Sequence, residues 1–264
     1  MNTVLRTLSD TKRSFYTQHQ RPINSLYRRV VEELLVEMHL LSVNVEFRYD
    51  PFYALGVITA YDRFMTGYPE ADRESIFAAI CSAVEEDATQ FRQDADAALT
   101  AVGPLSEDGS LDWLAGGAKP DAIPDALHQN LQAIATSDRY KYSRLFAIGI
   151  YAVLERVSPE LVADAEKRQA ALDKICTALK LPIDKMAKDL TLFRENLEKL
   201  AQARQVLEDT IAASRKQRER REAEKAEKAA AAEAEQDENT TPADDPAESA
   251  AEATAPAPKS SEEQ

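Results

Sequence analysis

Glycine is scarce and confined. Seven glycines serve the 264 residues, none before Gly56 and none after Gly149, where an average chain of this length carries about 18. No G-x-G-x-x-G or G-x-x-x-x-G-K-[ST] phosphate cradle can be written on the sequence, and a turn-dense sandwich or barrel is disfavoured. What remains is helix, and the apolar residues recur at helical spacing. Residues 22–45 open on Pro22 and set Ile23, Leu26, Tyr27, Val30, Val31, Leu34, Leu35, Met38, Leu41 and Val45 on one stripe, the i, i+3, i+4, i+7 pattern of an amphipathic helix. Asp50-Pro51 supplies an N-cap followed by a first-turn proline, and Gly67 stands where that helix's C′ residue is expected. Ile76, Phe77, Ile80, Cys81 and Val84 share a face in residues 70–86. Asp87 then caps a helix that ends near Gly103. Residues 103–123 hold four of the seven glycines and the only tryptophan, Trp113, and read as one long, mobile loop. Ile123-Pro124 opens a further helix, Ser137 caps one over 138–157, and Ser158-Pro159 caps another over 160–180.

Pro182 opens the last element. Met186, Leu190, Phe193, Leu197, Leu200, Leu207 and Ile211 follow 4-3-4-3 spacing, with Arg204 in the one skipped slot. This is a heptad seam of nearly four repeats, and helix formers continue to about residue 235, or roughly 65–70 Å of helix at 1.5 Å per residue. Burying these side chains falls short of the ordering entropy of a lone helix, so the seam needs a surface to pack on. The small flanking residues Ala187, Ala201 and Ala203 favour close packing in a helical layer over a charge-addressed dimer. Packing within the chain and docking on a partner both remain open.

The charge of −14 argues against nucleic acid, because phosphate contacts need a basic face. Residues 237–264 carry eight acids and one lysine, and beyond Ile211 the only apolar residue type is alanine. Such a segment is expected to be a disordered acidic tail from about residue 230. The longest apolar run, Leu145–Leu154, is ten residues, half of what a membrane span needs. No apolar secretory leader is visible near Met1.

Sites for chemistry are not evident. His19, His39 and His128 lie at no metal-ligand spacing. Cys81 and Cys176 sit on apolar faces and read as core residues. Glu32, Glu33, Glu37 and the run Glu85-Glu86-Asp87 read as solvated positions. No enzyme, cofactor or metal is expected. The basic run Arg215, Lys216, Arg218, Arg220, Arg221 allows about 4 kcal/mol of attraction to an anionic leaflet at best. Neighbouring glutamates subtract from it, and no large apolar residue is there to insert. A solvated helix surface and docking on lipid headgroups or an acidic partner both fit.

Residues 20–68 are more specific. Arg21-Pro22-Ile23-Asn24-Ser25, Glu32-Glu33-Leu34-Leu35-Val36-Glu37, Leu40-Leu41-Ser42-Val43-Asn44, Arg48-Tyr49-Asp50-Pro51 and Phe64-Met65-Thr66-Gly67-Tyr68, together with Val4–Tyr16, resemble the thylakoid formation protein family. The likeness is dense to about residue 90 and looser through Tyr140–Gly149 to about 222. The resemblance implies a non-enzymatic, all-helical factor of photosystem II biogenesis and repair and of thylakoid membrane organisation. It would be peripheral on the cytoplasmic side of the thylakoid membrane and partly soluble. It implies as partners the thylakoid FtsH protease complex and photosystem II assembly intermediates, with contact to the membrane surface. Because Met1 leads almost directly into the matching region, the cyanobacterial form is expected. No catalytic motif transfers. Arg48, Asp50 and Pro51 fit a helix cap, and recognition of a partner by them also remains open.

The expected architecture is therefore all-α: a helical bundle over 1–180, a long coiled-coil-like helix over 181–235 and a tail over 236–264. The candidate partner-binding residues are Leu197, Leu200, Arg204, Leu207, Ile211, Arg215, Lys216, Arg218, Arg220 and Arg221. The alternative function is a structural protein that binds lipid surfaces through 215–221.

Overall fold

The computed structural model describes residues 6–237, with side chains through Lys228. The expected tail lies outside these residues from position 238. Eleven helices and no strand occur among the described residues: α1 (Leu8–Gln18), α2 (Ser25–Ser42), α3 (Pro51–Phe64), α4 (Glu70–Ala83), α5 (Ala88–Val102), α6 (Glu107–Leu114), α7 (Asp125–Thr136), α8 (Arg144–Val157), α9 (Pro159–Ala163), α10 (Ala165–Leu179) and α11 (Ile183–Asp237). The all-α expectation with a long last helix holds. The chain divides into two compact units, Met1–Val206 and Leu207–Gln264, so α11 belongs to both.

The first unit is organised around α3 and α8, which make its most extensive helix–helix contact. Both are buried nearly all round. Every residue from Leu145 to Leu154 is buried, so the ten-residue apolar run is a core helix. A helix apolar on all faces needs protein on all faces. Here α5 packs on both, α2 covers α3, and α6 and α9 cover α8. The two backbones meet at Gly56 and Gly149. A Cβ on Gly56 would lie 2.6 Å from the Leu145 carbonyl carbon and 2.9 Å from the Gly149 nitrogen, and closer still to the Leu145 oxygen. A Cβ on Gly149 would meet the Phe52 carbonyl in the same way.

The cap at Asp50-Pro51 forms as expected. Asp50 Oδ1 accepts from the Tyr53 N–H at 2.8 Å, and Tyr140 Oη donates to Oδ2 at 3.1 Å. Arg48 donates to the Val45 and Phe47 carbonyls, closing the turn before α3. Both cysteines are buried and free.

Several boundaries differ from the sequence reading. α2 starts at Ser25, three residues after the Pro22 at which it was expected to open, and Asn24 caps it, accepting from the Leu26 N–H. Val45 lies past the helix end and is 83% exposed. Gly67 (φ 85°) falls one position later than expected, two past the C-cap Met65. The loop expected over 103–123 contains α6, capped by the Ser106 hydroxyl. Trp113 on α6 is fully buried, and its indole N–H donates to His128 Nδ1 at 3.1 Å. Ser143 rather than Ser137 caps α8, and Asp164 splits the helix expected over 160–180 into α9 and α10.

Candidate functional site

The seam of α11 changes character along its length. Met186, Leu190 and Phe193 are buried in the core of the first unit. Cys176 Sγ approaches Met186 Sδ to 3.2 Å, and the Phe193 ring packs edge-on to Phe64 and Tyr151. Leu197 is half-buried against the same core. The first half of the seam therefore packs within the chain, resolving that alternative.

Arg204, the polar residue in the seam, fills its slot for a reason. Its Nη1 donates to the Thr66 carbonyl, which also accepts from Tyr27 Oη at 3.2 Å. Gly67 keeps the approach clear, since a Cβ there would lie 3.3 Å from Arg204 Nη1. The guanidinium ties the last buried turn of α11 to the α3–α4 connection.

In the second unit every side chain from Leu207 to Lys228 is exposed, with Leu207 40% and Ile211 59% accessible. The basic run does not act as one block. Arg215, Arg218 and Arg220 each reach the glutamate four residues on (Glu219, Glu222, Glu224) at 2.8–2.9 Å, pairs worth about 0.3–0.5 kcal/mol each on a helix surface. Lys216 and Arg221 make no ion pair among the described residues. Continuing the 4-3 spacing past Ile211 passes Ser214 and then Arg218, Arg221, Lys225 and Lys228. The apolar line thus becomes a basic line on the same helix face. Lys225 and Lys228 are not among the expected partner-binding residues, although the 4-3 spacing of the seam reaches them.

Beside the root of α11, within the first unit, lies a cavity of about 300 Å³. Its walls are mainly apolar, with Val30 and Leu34 of α2, Ala60 and Phe64 of α3, Ile148 of α8 and Leu200 of α11, and Arg29, Glu33, Asn196 and Lys199 also line it. At one end Arg144 holds Glu37 Oε2 through Nε at 3.2 Å and Nη2 at 2.6 Å. Burial pushes the Glu37 carboxyl above its ordinary range, and the Arg144 charge opposes that shift. Nearby, Tyr142 Oη donates to Asp189 Oδ2 at 2.8 Å, and Lys185 Nζ sits 5.1 Å over the Tyr142 ring. Glu37 is therefore not the solvated acid its position suggested. Its partner is 107 residues away, and nothing local in the sequence reports that pairing. No group of three or more His, Cys, Asp or Glu side chains is arranged for a metal among the described residues. No helix among them is long and apolar enough to cross a membrane.

Fold and surface together describe an all-helical protein whose distinguishing feature is a helix seam passing from core to solvent. The chain belongs to the thylakoid formation protein family, whose model matches residues 7–222. Protein Thf1 of Trichormus variabilis is 53% identical over 216 residues, covering 81% of this chain and 92% of its own. Protein Thf1 of Rippkaea orientalis is 44% identical over 244 residues, covering 92% and 98%. A solved structure of Psb29 is 43% identical, covers 81% of this chain and 98% of its own, and superposes with a TM-score of 0.69. Membership carries the family's role in thylakoid formation and photosystem II biogenesis and its association with thylakoids.

Proposed function

We propose that this protein is a non-enzymatic adaptor, peripheral on the cytoplasmic side of the thylakoid membrane. It stabilises the thylakoid FtsH protease complex through α11 and thereby supports photosystem II biogenesis and repair, with assembly intermediates of photosystem II as further partners. The observation that carries the reading is the seam: anchored in the core through Phe193, tied at Arg204, and presenting Leu207 and Ile211 followed by a basic line. Apolar side chains at heptad spacing on an exposed helix are the usual material of helix–helix docking.

The test is truncation after Val206, at the unit boundary. A cut before Met186 would remove core residues and confound the result. Pull-downs from solubilised thylakoids compare the truncated and full chains. Loss of FtsH from the truncated bait supports the adaptor reading; retention refutes the role of α11. The lipid-surface reading is weakened by the three intrahelical pairs that occupy Arg215, Arg218 and Arg220. It requires the full chain to bind protein-free anionic vesicles at low salt.

A further inference from the structure

We infer that the cavity beside the root of α11 is a binding site for a single-chain amphiphile with an anionic head, a free fatty-acid-type lipid. The site lies wholly within the first unit and is separate from the exposed part of the seam. Three observations point to it.

The first is size and lining. A volume of about 300 Å³ lies at the lower end of small-molecule pockets. It matches roughly ten groups of the size of a water molecule or a methylene, at about 30 Å³ each. One acyl chain fits and two do not. The walls from Val30, Leu34, Phe64 and Leu200 offer a chain nothing but hydrocarbon and ring surface.

The second is charge. The cavity adjoins a larger, open hollow of about 1130 Å³, with Arg29, Glu33, Glu37, Arg144 and Asn196 common to both. Across the two, seven basic side chains stand against four acidic ones, on a chain whose overall charge is −14. Lys12, Lys141 and Lys185 in the open hollow enter no ion pair among the described residues. A positive mouth on an acidic protein selects anions against the general repulsion.

The third is arrangement. Arg144 directs Nε and Nη2 at Glu37, which fixes a guanidinium where the cavity meets the open hollow. Arg29 and Lys199, both mostly exposed, stand at the rim. Apolar depth with cations at one end is the complement of a carboxylate on a hydrocarbon chain. The chain's own acidic tail does not answer to it, because beyond Ile211 it offers no apolar side chain larger than alanine.

The test uses the full chain at low salt and radiolabelled decanoate as the probe, below its micellar concentration. Saturable binding of one probe per chain is expected. Dodecanoate should displace it, with dodecylamine weaker by about tenfold or more and butyrate without effect. Ala60→Phe, which fills the cavity from α3, should abolish probe binding. Leu200→Trp fills it from the half-buried wall of α11 and serves if Ala60→Phe fails to fold by circular dichroism. Arg29→Glu with Lys199→Glu, at exposed positions, should weaken dodecanoate by about tenfold and leave dodecanol unchanged. Any of four results overturns the proposal: no saturable probe binding, equal displacement by dodecylamine, binding indifferent to the cavity-filling variants, or binding to anionic vesicles without binding of monomeric dodecanoate.

Discussion

Gly56→Ala is the sharpest test of how the first unit is built. In an isolated helix the change would be favourable by about 1 kcal/mol, because alanine restricts the unfolded chain and suits the helix. In α3 the added methyl meets backbone. Its distances of 2.6 Å to the Leu145 carbonyl carbon and 2.9 Å to the Gly149 nitrogen fall short of the 3.4 Å at which ordinary contact begins. The shortfall to the Leu145 oxygen is larger. Neither atom belongs to a side chain that can rotate away, so α3 and α8 must part by about 1 Å or more. A gap of 0.5–1 Å already forfeits roughly a quarter to a half of each dispersion contact, and Phe52, Leu55, Phe146 and Ile150 are all fully buried along these two helices. Overpacking of this kind costs about 1–3 kcal/mol and more when backbone must move. Here backbone opposes the methyl on two sides, which puts the cost at the top of that range or beyond, about 3–5 kcal/mol, and after the propensity gain of about 1 kcal/mol the net loss is about 2–4 kcal/mol. For a domain of this size each kcal/mol lowers Tm by about 2–4 °C, so thermal unfolding should begin roughly 5–15 °C earlier. Gly149→Ala should behave alike. The double variant should lose less than the sum, because helices already parted accept the second methyl, with a coupling of about 1 kcal/mol or more. Gly103→Ala is the control: its Cβ would face the mobile end of Arg156 at 3.2 Å, in right-handed backbone, and Tm should hold. A Gly56→Ala protein melting within about 2 °C of the parent would refute the close-approach argument.

Burial raises the Asp50 carboxyl to about 6, against the hydrogen bonds from Tyr53 and Tyr140 that favour its charge. A folded-state value above the unfolded value of about 3.9 means the native protein binds the extra proton between these limits. This group's contribution to stability is therefore greatest below about pH 4 and falls as pH rises through 6. Asp50→Asn keeps an acceptor for the Tyr53 N–H and should flatten that segment of the stability–pH curve in urea titrations, whereas Asp50→Ala should flatten it too and also remove the cap, a cost of about 1–2 kcal/mol below pH 4 that shrinks as pH rises through 6. Arg204→Ala should leave Tm within about 2 °C but speed hydrogen exchange of the amides between Leu197 and Val206; unchanged exchange would show that the Thr66 contact does not hold the helix. Burial lifts the Cys81 thiol to about 12 and the Cys176 thiol to about 11. Both should be inert to dithiobis-nitrobenzoate at pH 8 until denaturant is added, and a native-state reaction of one thiol per chain would contradict their placement. Trp113 emission should be blue-shifted and resistant to acrylamide, with a red shift only on global unfolding.

Much of the architecture was written locally. Asp50-Pro51, the α2 stripe and the seam through Phe193 can be read because their signals lie within one or two helical turns. α6 has a weak local signal because Gly109 within it, and Gly103, Gly116 and Gly117 around it, outweigh a Ser106 cap and one buried tryptophan. The start of α8 was misplaced because Tyr140 and Tyr142 are fixed by Asp50 and Asp189, residues distant in sequence, and not by any local period. The site was legible in the same uneven way. Spacing located Leu207 and Ile211, but the reason for Arg204 is a carbonyl 138 positions away. The cavity with its Glu37–Arg144 pair exists only once four helices have met.

The pairing of α3 with α8 also sets a schedule for synthesis. α3 is complete at Phe64, while the helix against which its glycine face closes ends only at Val157. At ribosomal speeds of about 5–20 residues per second, the interval is roughly 5–20 s. Throughout it, the most apolar face of the nascent chain waits for a surface that has not yet been translated.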